Sequence, residues 1–114
     1  MQSDARQFLH DIATSTEAIR DFSRGRTLRD YEGDLMLRSA CERQLEIIGE
    51  AMTRLRDRHP DTFDLVDNAH AIIALRNRLI HGYDSVDSAI VWDIITGKLP
   101  DLERAARRLL TTDQ

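Results

Sequence analysis

The densest run of potentially reactive side chains is residues 74–83, which read ALRNRLIHGY. Arg76 supplies a planar cation, His81 a ring of a type that titrates near neutral pH, and Tyr83 a phenolic hydroxyl. Asn77 stands directly beside the arginine. Together these side chains can perform acid–base chemistry next to a fixed positive charge, with no metal required.

Apolar spacing predicts that this run begins as an amphipathic helix. Ile72, Leu75 and Leu79 fall on one helical face, which is expected to lie in a core. Gly82 is expected to end the helix, because glycine adopts positive φ without steric cost.

The spacing of Arg76 and His81 decides whether the two side chains can act on the same substrate group. At about 100° per residue, positions five apart lie about 140° from each other around a helix axis. Asn77 and His81 lie one turn apart on one face, and Arg76 and Tyr83 lie almost in line. Arg76 and His81 can therefore converge only if the helix loosens at Gly82, or if a second copy of the chain completes the site.

Each of these residues also has a purely structural interpretation. A histidine near a helix end commonly interacts with the last carbonyls, a lone arginine forms a surface ion pair, and a tyrosine packs half-buried. The other three histidines, His10, His59 and His70, are assigned structural roles. No second histidine or cysteine stands at zinc-ligand spacing, and no glycine-rich phosphate loop is found. The sequence therefore predicts neither a metal site nor a cofactor.

The sequence around these residues resembles the HepT type of HEPN-domain toxins. Arg76, His81 and Tyr83 form R-x4-H-x-Y, which matches the R-x4–6-H-x-Y signature of that family. The three similar blocks are LEIIGEA at 45–51, LRNRLIHGYDSVD at 75–87, and a downstream block made of IVWD at 90–93 with LP at 99–100. The resemblance covers about residues 35–102, and three blocks in order are far more specific than R-x4-H alone.

The resemblance implies an endoribonuclease toxin that cleaves RNA through its own 2′-hydroxyl. His81 would be the general base or acid, Arg76 would stabilise the phosphate and the transition state, and Asn77 would position them. In this family a nucleotidyltransferase antitoxin of the MntA type transfers AMP groups onto the toxin's tyrosine, and Tyr83 occupies that position. The alternative is a non-catalytic module of the same superfamily that binds nucleotide or a partner protein.

Length and composition predict one globular domain over residues 1–114. The chain is 41% apolar and 32% charged. No apolar run approaches the roughly 20 residues of a membrane span, and the N-terminal residues do not resemble a signal peptide. The single cysteine, Cys41, permits no internal disulfide and falls at a core-type helical position. A cytoplasmic protein with a buried, structural cysteine is expected.

The net charge of −4 argues against bulk electrostatic capture of nucleic acid. A local arginine-lined cleft stays compatible with this charge. Most arginines are expected on solvated helix faces, with acidic neighbours three or four residues away.

The periodicity predicts an all-α fold, a HEPN-type up-and-down bundle of four main helices plus a short or kinked fifth. The expected helix starts are Ser3, Thr27 with Asp30, Asp34, Asp67 or Asn68, and Ser85 or Asp87. The expected breaks are Gly25, Gly33, Pro60, Gly82, Gly97 and Pro100. Neither Arg76 nor His81 belongs to a core stripe.

The longest predicted helix, residues 34–58, carries two apolar stripes. The first consists of Leu37, Cys41, Leu45, Ile48, Met52 and Leu55, and the second of Met36, Ala40, Ile47 and Ala51. Two apolar faces indicate either a central helix or one that serves both a core and a partner. Gly49 weakens the helix interior, so a close helix approach is expected there. A symmetric homodimer using the second stripe is predicted.

Overall fold

The computed structural model describes residues 1–82 and 86–112, and these residues form an all-α structure. The helices are α1 Ser3–Ser23, α2 Leu28–Gly33, α3 Leu35–Arg58, α4 Pro60–Phe63, α5 Ala69–His81, α6 Ser88–Gly97 and α7 Leu99–Thr112. No strand occurs within the described ranges. The predicted all-α class is confirmed. The main helices are α1, α3, α5 and the α6–α7 pair, and α2 and α4 have only six and four residues.

Helix α3 is the central element of the bundle. It packs on α1 along one side and on α5 along another, while α1 also packs on α7. All six residues of the first predicted stripe are buried in one core cluster. Ile48, Met52 and Leu55 are fully inaccessible. The first stripe is therefore confirmed as the core face of α3.

The second predicted stripe divides into a buried part and an exposed part. Ala51 is buried within the chain itself, while Ala40 and Ile47 are half-buried. Met36 is 82% exposed, and its neighbour Leu35 is 63% exposed. An apolar surface is thus present at the N-terminal half of α3, but Ala51 is not part of it.

Local capping chemistry explains several helix boundaries. At the start of α2, the Asp30 amide donates to the Thr27 hydroxyl oxygen at 3.1 Å, and the Thr27 amide donates to the Asp30 carboxylate at 2.9 Å. Asp34 accepts from the Leu37 amide at the start of α3, and Asp87 accepts from an amide at the start of α6. These caps satisfy amides that lack partners inside the helix, as predicted. The alternative cap Ser85 lies outside the described residues.

Three details of the predicted boundaries are wrong. Ser3 is already inside α1, whose N-cap position is Gln2. Asn68 occupies the predicted N-cap position of α5 with φ 66°, but its side chain makes no capping hydrogen bond, and its amide donates to the Lys98 carbonyl at 3.4 Å. Gly82 ends α5 as expected, yet its φ is −139°, so the reason given for a glycine there does not hold.

The last predicted helix is interrupted, as expected. Helix α6 ends at Gly97 and α7 begins at Leu99. Pro100 lies in the first turn of α7, where its missing N–H removes no intrahelical hydrogen bond. Among the described helices, none combines the length and apolarity needed to cross a membrane.

Candidate functional site

Arg76 lies at a close approach of α5 to α3. A Cβ atom added to Gly49 of α3 would lie 2.3 Å from the Cβ and 2.4 Å from the Cγ of Arg76. The absence of a side chain at Gly49 therefore permits the two helices to approach. The predicted close approach at this glycine is confirmed, and the atoms that occupy the space belong to Arg76.

The guanidinium of Arg76 is held by two neighbours. Nη2 donates to Oε2 of Glu50 at 2.7 Å, and Nη1 donates to Oδ1 of Asn77 at 3.1 Å. Its Nε is buried and has no hydrogen-bond partner among the described residues. The Arg76 side chain is only 22% exposed. Arg76 thus lies outside the buried core cluster, as expected, although the stem of its side chain packs against α3.

His81 is the last residue of α5 and is exposed to solvent. Within residues 1–82 and 86–112 it has no hydrogen-bond or ion-pair partner. A histidine whose ring nitrogens are both free can accept and donate protons to a ligand. The exposure of His81 agrees with its predicted place outside the core.

Helix α5 stays regular up to His81, and the Gly82 amide donates to the Arg78 carbonyl at 2.8 Å. The loosening that would bring Arg76 and His81 together therefore does not occur before Gly82. Their Cα atoms stay about 140° apart around the axis and about 7.5 Å apart along it. The guanidinium of Arg76 bonds to Asn77, and Asn77 lies one turn before His81 on the same helical face.

A shallow groove of about 300 Å³ lies beside Arg76, between α1, α3 and α5. Charged and apolar side chains share its lining, among them Arg54, Glu50, Ile47 and Ile80. Ile80 is 45% exposed although it lies on the helix that carries the candidate residues. The groove gives access to Arg76 from solvent, while His81 is not among its lining residues.

Comparison with known proteins identifies the family. Residues 12–109 match the family described as Ribonuclease HepT-like. The chain belongs to the HepT-like ribonuclease family. The resemblance predicted from the sequence is thus confirmed.

Curated relatives carry provisional names of the same kind. A protein from Methanocaldococcus jannaschii, provisionally named an RNase, is 33% identical over 88% of this chain and 82% of its own length. A provisional RNase from Caldanaerobacter subterraneus is 30% identical over 96% of both chains. A provisional ribonuclease HepT from Thermococcus cleftensis is 30% identical over 96% of this chain and 98% of its own. No solved structure matches.

These comparisons show that this HepT-like protein is a ribonuclease, whose substrate is RNA. They favour the enzyme over the non-catalytic binding module considered as the alternative. Tyr83, the predicted site of AMP transfer, lies outside the described residues.

Of the remaining histidines of this HepT-like ribonuclease, two contact other side chains and the third is exposed on the surface. His59 and Asp4 form a 2.7 Å contact that joins the end of α3 to the start of α1. His70 packs edge-on against Phe63, with ring centroids 5.1 Å apart. His10 is exposed on α1. Among the described residues, no three His, Cys, Asp or Glu side chains are grouped as a metal site.

Cys41 is buried in the core, as predicted. Burial, followed by the charge of neighbouring Glu42, raises the pKa of the Cys41 thiol to about 11. A thiol with so high a pKa holds its proton at neutral pH and is a poor nucleophile. Cys41 is therefore a packing residue.

Most arginines that form ion pairs among the described residues pair with acidic neighbours along their own helices, as expected. The pairs at three or four residues are Arg20–Glu17, Arg24–Asp21, Arg43–Glu46, Arg54–Glu50, Arg104–Asp101 and Arg107–Glu103. Glu50 was not predicted as a site residue, although it lies in the block LEIIGEA that carries the family resemblance. Glu50 directly follows Gly49, where a close helix approach was expected, and this position could have indicated that Glu50 contacts the neighbouring helix.

Proposed function

We propose that this ribonuclease is an endoribonuclease that needs no metal and uses Arg76, Asn77 and His81. The supporting observation is the position of the Arg76 guanidinium. It is held by Asn77, which lies on the helical face of His81, and that histidine is exposed and has no partner among residues 1–82 and 86–112. The site thus presents a cation and a proton-transfer group at one end of α5.

The reaction follows from these two groups. His81 removes the proton from a ribose 2′-hydroxyl, whose oxygen attacks the adjacent phosphorus, or it protonates the departing 5′-oxygen. Arg76 neutralises the charge that develops on the phosphate oxygens in the phosphorane-like transition state. The bond to the 5′-oxygen breaks, which leaves a 2′,3′-cyclic phosphate and a 5′-hydroxyl. Asn77 fixes one nitrogen of the guanidinium through its side-chain oxygen.

A symmetric homodimer is proposed because one α5 helix separates Arg76 from His81. Two copies facing one cleft would bring both pairs of side chains to a single RNA strand and would offset the acidic net charge. Half-exposed Ile47 and Ile80 border the groove next to Arg76, which supports an interface there. A monomer in sedimentation experiments at micromolar concentration would contradict this proposal.

We propose further that the ribonuclease is the toxin of a toxin–antitoxin pair. A nucleotidyltransferase antitoxin would transfer AMP from ATP to the Tyr83 hydroxyl, forming a phosphodiester and releasing pyrophosphate. The added group is bulky and negatively charged, and it stands two residues beyond His81 in sequence. Its charge can pair with Arg76 and occupy the place of the RNA phosphate. Inhibition would then be steric and electrostatic, without unfolding.

Cleavage of a single-stranded RNA in EDTA tests the catalytic proposal. The wild-type protein is expected to cleave and to leave 2′,3′-cyclic phosphate ends, while His81→Ala loses activity by orders of magnitude. His10→Ala is the matched control, because His10 is also an exposed histidine on a helix but is distant from His81 in the sequence. Full activity of His81→Ala with an unchanged melting temperature would remove His81 from the mechanism.

Modification is tested separately with Tyr83→Phe. This variant is expected to keep most of its cleavage activity and to resist silencing by the cognate nucleotidyltransferase and ATP. Intact-mass and peptide analysis of the treated wild-type protein should place AMP on Tyr83. AMP on another residue would refute the assignment of Tyr83 without touching the cleavage mechanism.

A further inference from the structure

Two residues of α3, Gly49 and Glu50, surround the Arg76 side chain from its stem to its charged end. We propose that both are positioning residues that fix the Arg76 guanidinium for contact with the RNA phosphate. The inference rests on the proposed function of Arg76. It adds that the precision of the site is built into α3, a helix that carries none of the residues predicted from the motif.

Gly49 determines where the arginine stem can lie. A Cβ at this position would overlap the Cβ and Cγ of Arg76 at 2.3 and 2.4 Å. These atoms are next to the α5 backbone, so they cannot move aside as the end of a flexible side chain does. A Cβ added at Gly33 or Gly97 would meet no atom within 4 Å. Among these three helical glycines, only Gly49 is thus required by its surroundings.

Glu50 holds the charged end of Arg76 without cancelling its charge. Its Oε2 accepts from Nη2 of Arg76 at 2.7 Å, and its Oε1 accepts from Nε of Arg54 at 2.9 Å. Because one carboxylate is shared by two arginines, the cluster of three side chains keeps a net positive charge. That charge is available to a phosphate that approaches from solvent.

Within the described part of the chain, the hydrogen bonds leave some N–H groups of the guanidinium without a partner. Arg76 has five N–H groups, of which Nη2 donates one to Glu50 and Nη1 donates one to Asn77. Each of these nitrogens keeps one further N–H. Two N–H groups on neighbouring nitrogens match the oxygens of a phosphate in a bidentate contact. The partners of Arg76 thus fix its plane while leaving donors for the substrate.

The position of such a group matters strongly to the rate. A displacement of about 1 Å in a reacting geometry can lower a rate by about 100-fold. Gly49→Ala must displace either α5 or the arginine stem, and Glu50→Gln removes the charged partner of Nη2. Both changes should therefore act on the chemical step more than on RNA binding.

The experiment measures single-turnover cleavage of a mixed-sequence single-stranded RNA oligonucleotide over a range of enzyme concentrations. Gly49→Ala and Glu50→Gln are expected to lower the maximal rate by about 10- to 100-fold, with the half-saturating concentration changed by less than about threefold. Gly97→Ala and Glu17→Gln are the matched controls and should stay within about twofold of the wild type. Glu17 also lies between two arginines, Arg20 at 3.6 Å and Arg107 at 3.5 Å, and is similarly exposed.

A double variant separates positioning from a general structural role. If Glu50 acts through Arg76, Glu50→Gln should lower the residual rate of Arg76→Ala by no more than about twofold. The inference is overturned if Glu50→Gln lowers the rate of Arg76→Ala by the same factor by which it lowers the rate of the wild type. It is also overturned if Glu50→Gln alone leaves the wild-type rate unchanged or raises it. Full activity of Arg76→Ala would instead overturn the proposed function, so the two failures are distinguishable. Melting temperature and sedimentation of each variant exclude loss of fold or assembly as the cause.

Discussion

Two clusters of arginine and glutamate join helices in this protein, and they are built in opposite ways. Between α1 and α7, the Glu103 side chain is 8% exposed and accepts from Arg20 at 2.5 Å and Arg107 at 2.9 Å, with both arginines about half exposed. Between α3 and α5, the arginine is the more buried partner. Arg76 is 22% exposed, and Glu50 is 44% exposed.

The difference lies in which group the fold immobilises. A buried carboxylate that already accepts from two arginines has no N–H group to offer an anion, so the α1–α7 cluster is assigned to holding helices together. A mostly buried guanidinium keeps unused N–H groups at a fixed place and can receive an anion. The cavity of about 620 Å³ beside the α1–α7 cluster is the larger of the two. The proposed site at Arg76 thus lies beside the smaller cavity, and it is chosen for its immobilised donor, not for cavity size.

The strongest test of this comparison substitutes one arginine from each cluster. Arg76→Lys keeps the stem and the charge but loses the planar fork, so RNA cleavage should fall by about 100-fold or more. Arg107→Lys should change cleavage by less than about twofold, because its partner Glu103 does not face the candidate site. Rates under enzyme excess, with melting temperatures for both variants, provide the measurement. Equal losses in the two variants would show that the clusters do not differ in function.

The α1–α7 cluster, which should matter little for cleavage, should matter more for the free energy of unfolding. Removing both partners of Glu103 with Arg20→Ala and Arg107→Ala leaves a buried carboxylate unpaired, which costs about 3–5 kcal/mol of unfolding free energy. The control pair is Arg24→Ala with Arg104→Ala, whose partners Asp21 and Asp101 are exposed on the same helices. That control should cost about 1 kcal/mol or less. Urea unfolding curves decide between these values, and similar midpoints for both double variants would contradict the interpretation of Glu103.

The smallest expected effect on stability concerns a third ion pair, between His59 and Asp4, in which the carboxylate is exposed. Desolvation opposes ionisation of Asp4, but its hydrogen bond to His59 and the charge of that residue outweigh this, so the pKa of Asp4 lies below 3.8. A carboxyl group with a lowered pKa in the folded state adds stability that is present above pH 3.8 and is lost as the pH falls through the folded pKa.

Asp4→Asn should therefore be slightly less stable than the wild type near pH 5, and the difference should disappear near pH 2. Asp61→Asn, a change at an exposed aspartate in the first turn of α4, is the control. Melting curves over this pH range provide the measurement. A difference that grows as the pH falls would show that Asp4 is not stabilised as its contacts indicate.

Much of the fold follows from local patterns. The stripe from Leu37 to Leu55 predicted the buried face of α3, and Thr27 with Asp30 predicted the capping box of α2. Those predictions succeeded because helical periodicity and capping depend on neighbours within a few residues. The wrong details, such as the cap at Asn68, involve contacts with distant residues. Its amide binds the Lys98 carbonyl, which no local pattern predicts.

The candidate site shows the same division. The sequence alone determined the R-x4-H-x-Y motif, its place at the end of a helix and, through three matching blocks, the ribonuclease family. It also indicated a close approach at Gly49, since a glycine inside a helix needs compensation. Only the tertiary structure decided that the approaching group is the stem of Arg76 and that Glu50, 26 residues away, holds its charged end. The physical reason is that a helix fixes the direction of each side chain, whereas the burial and charge around it depend on which helix packs against it.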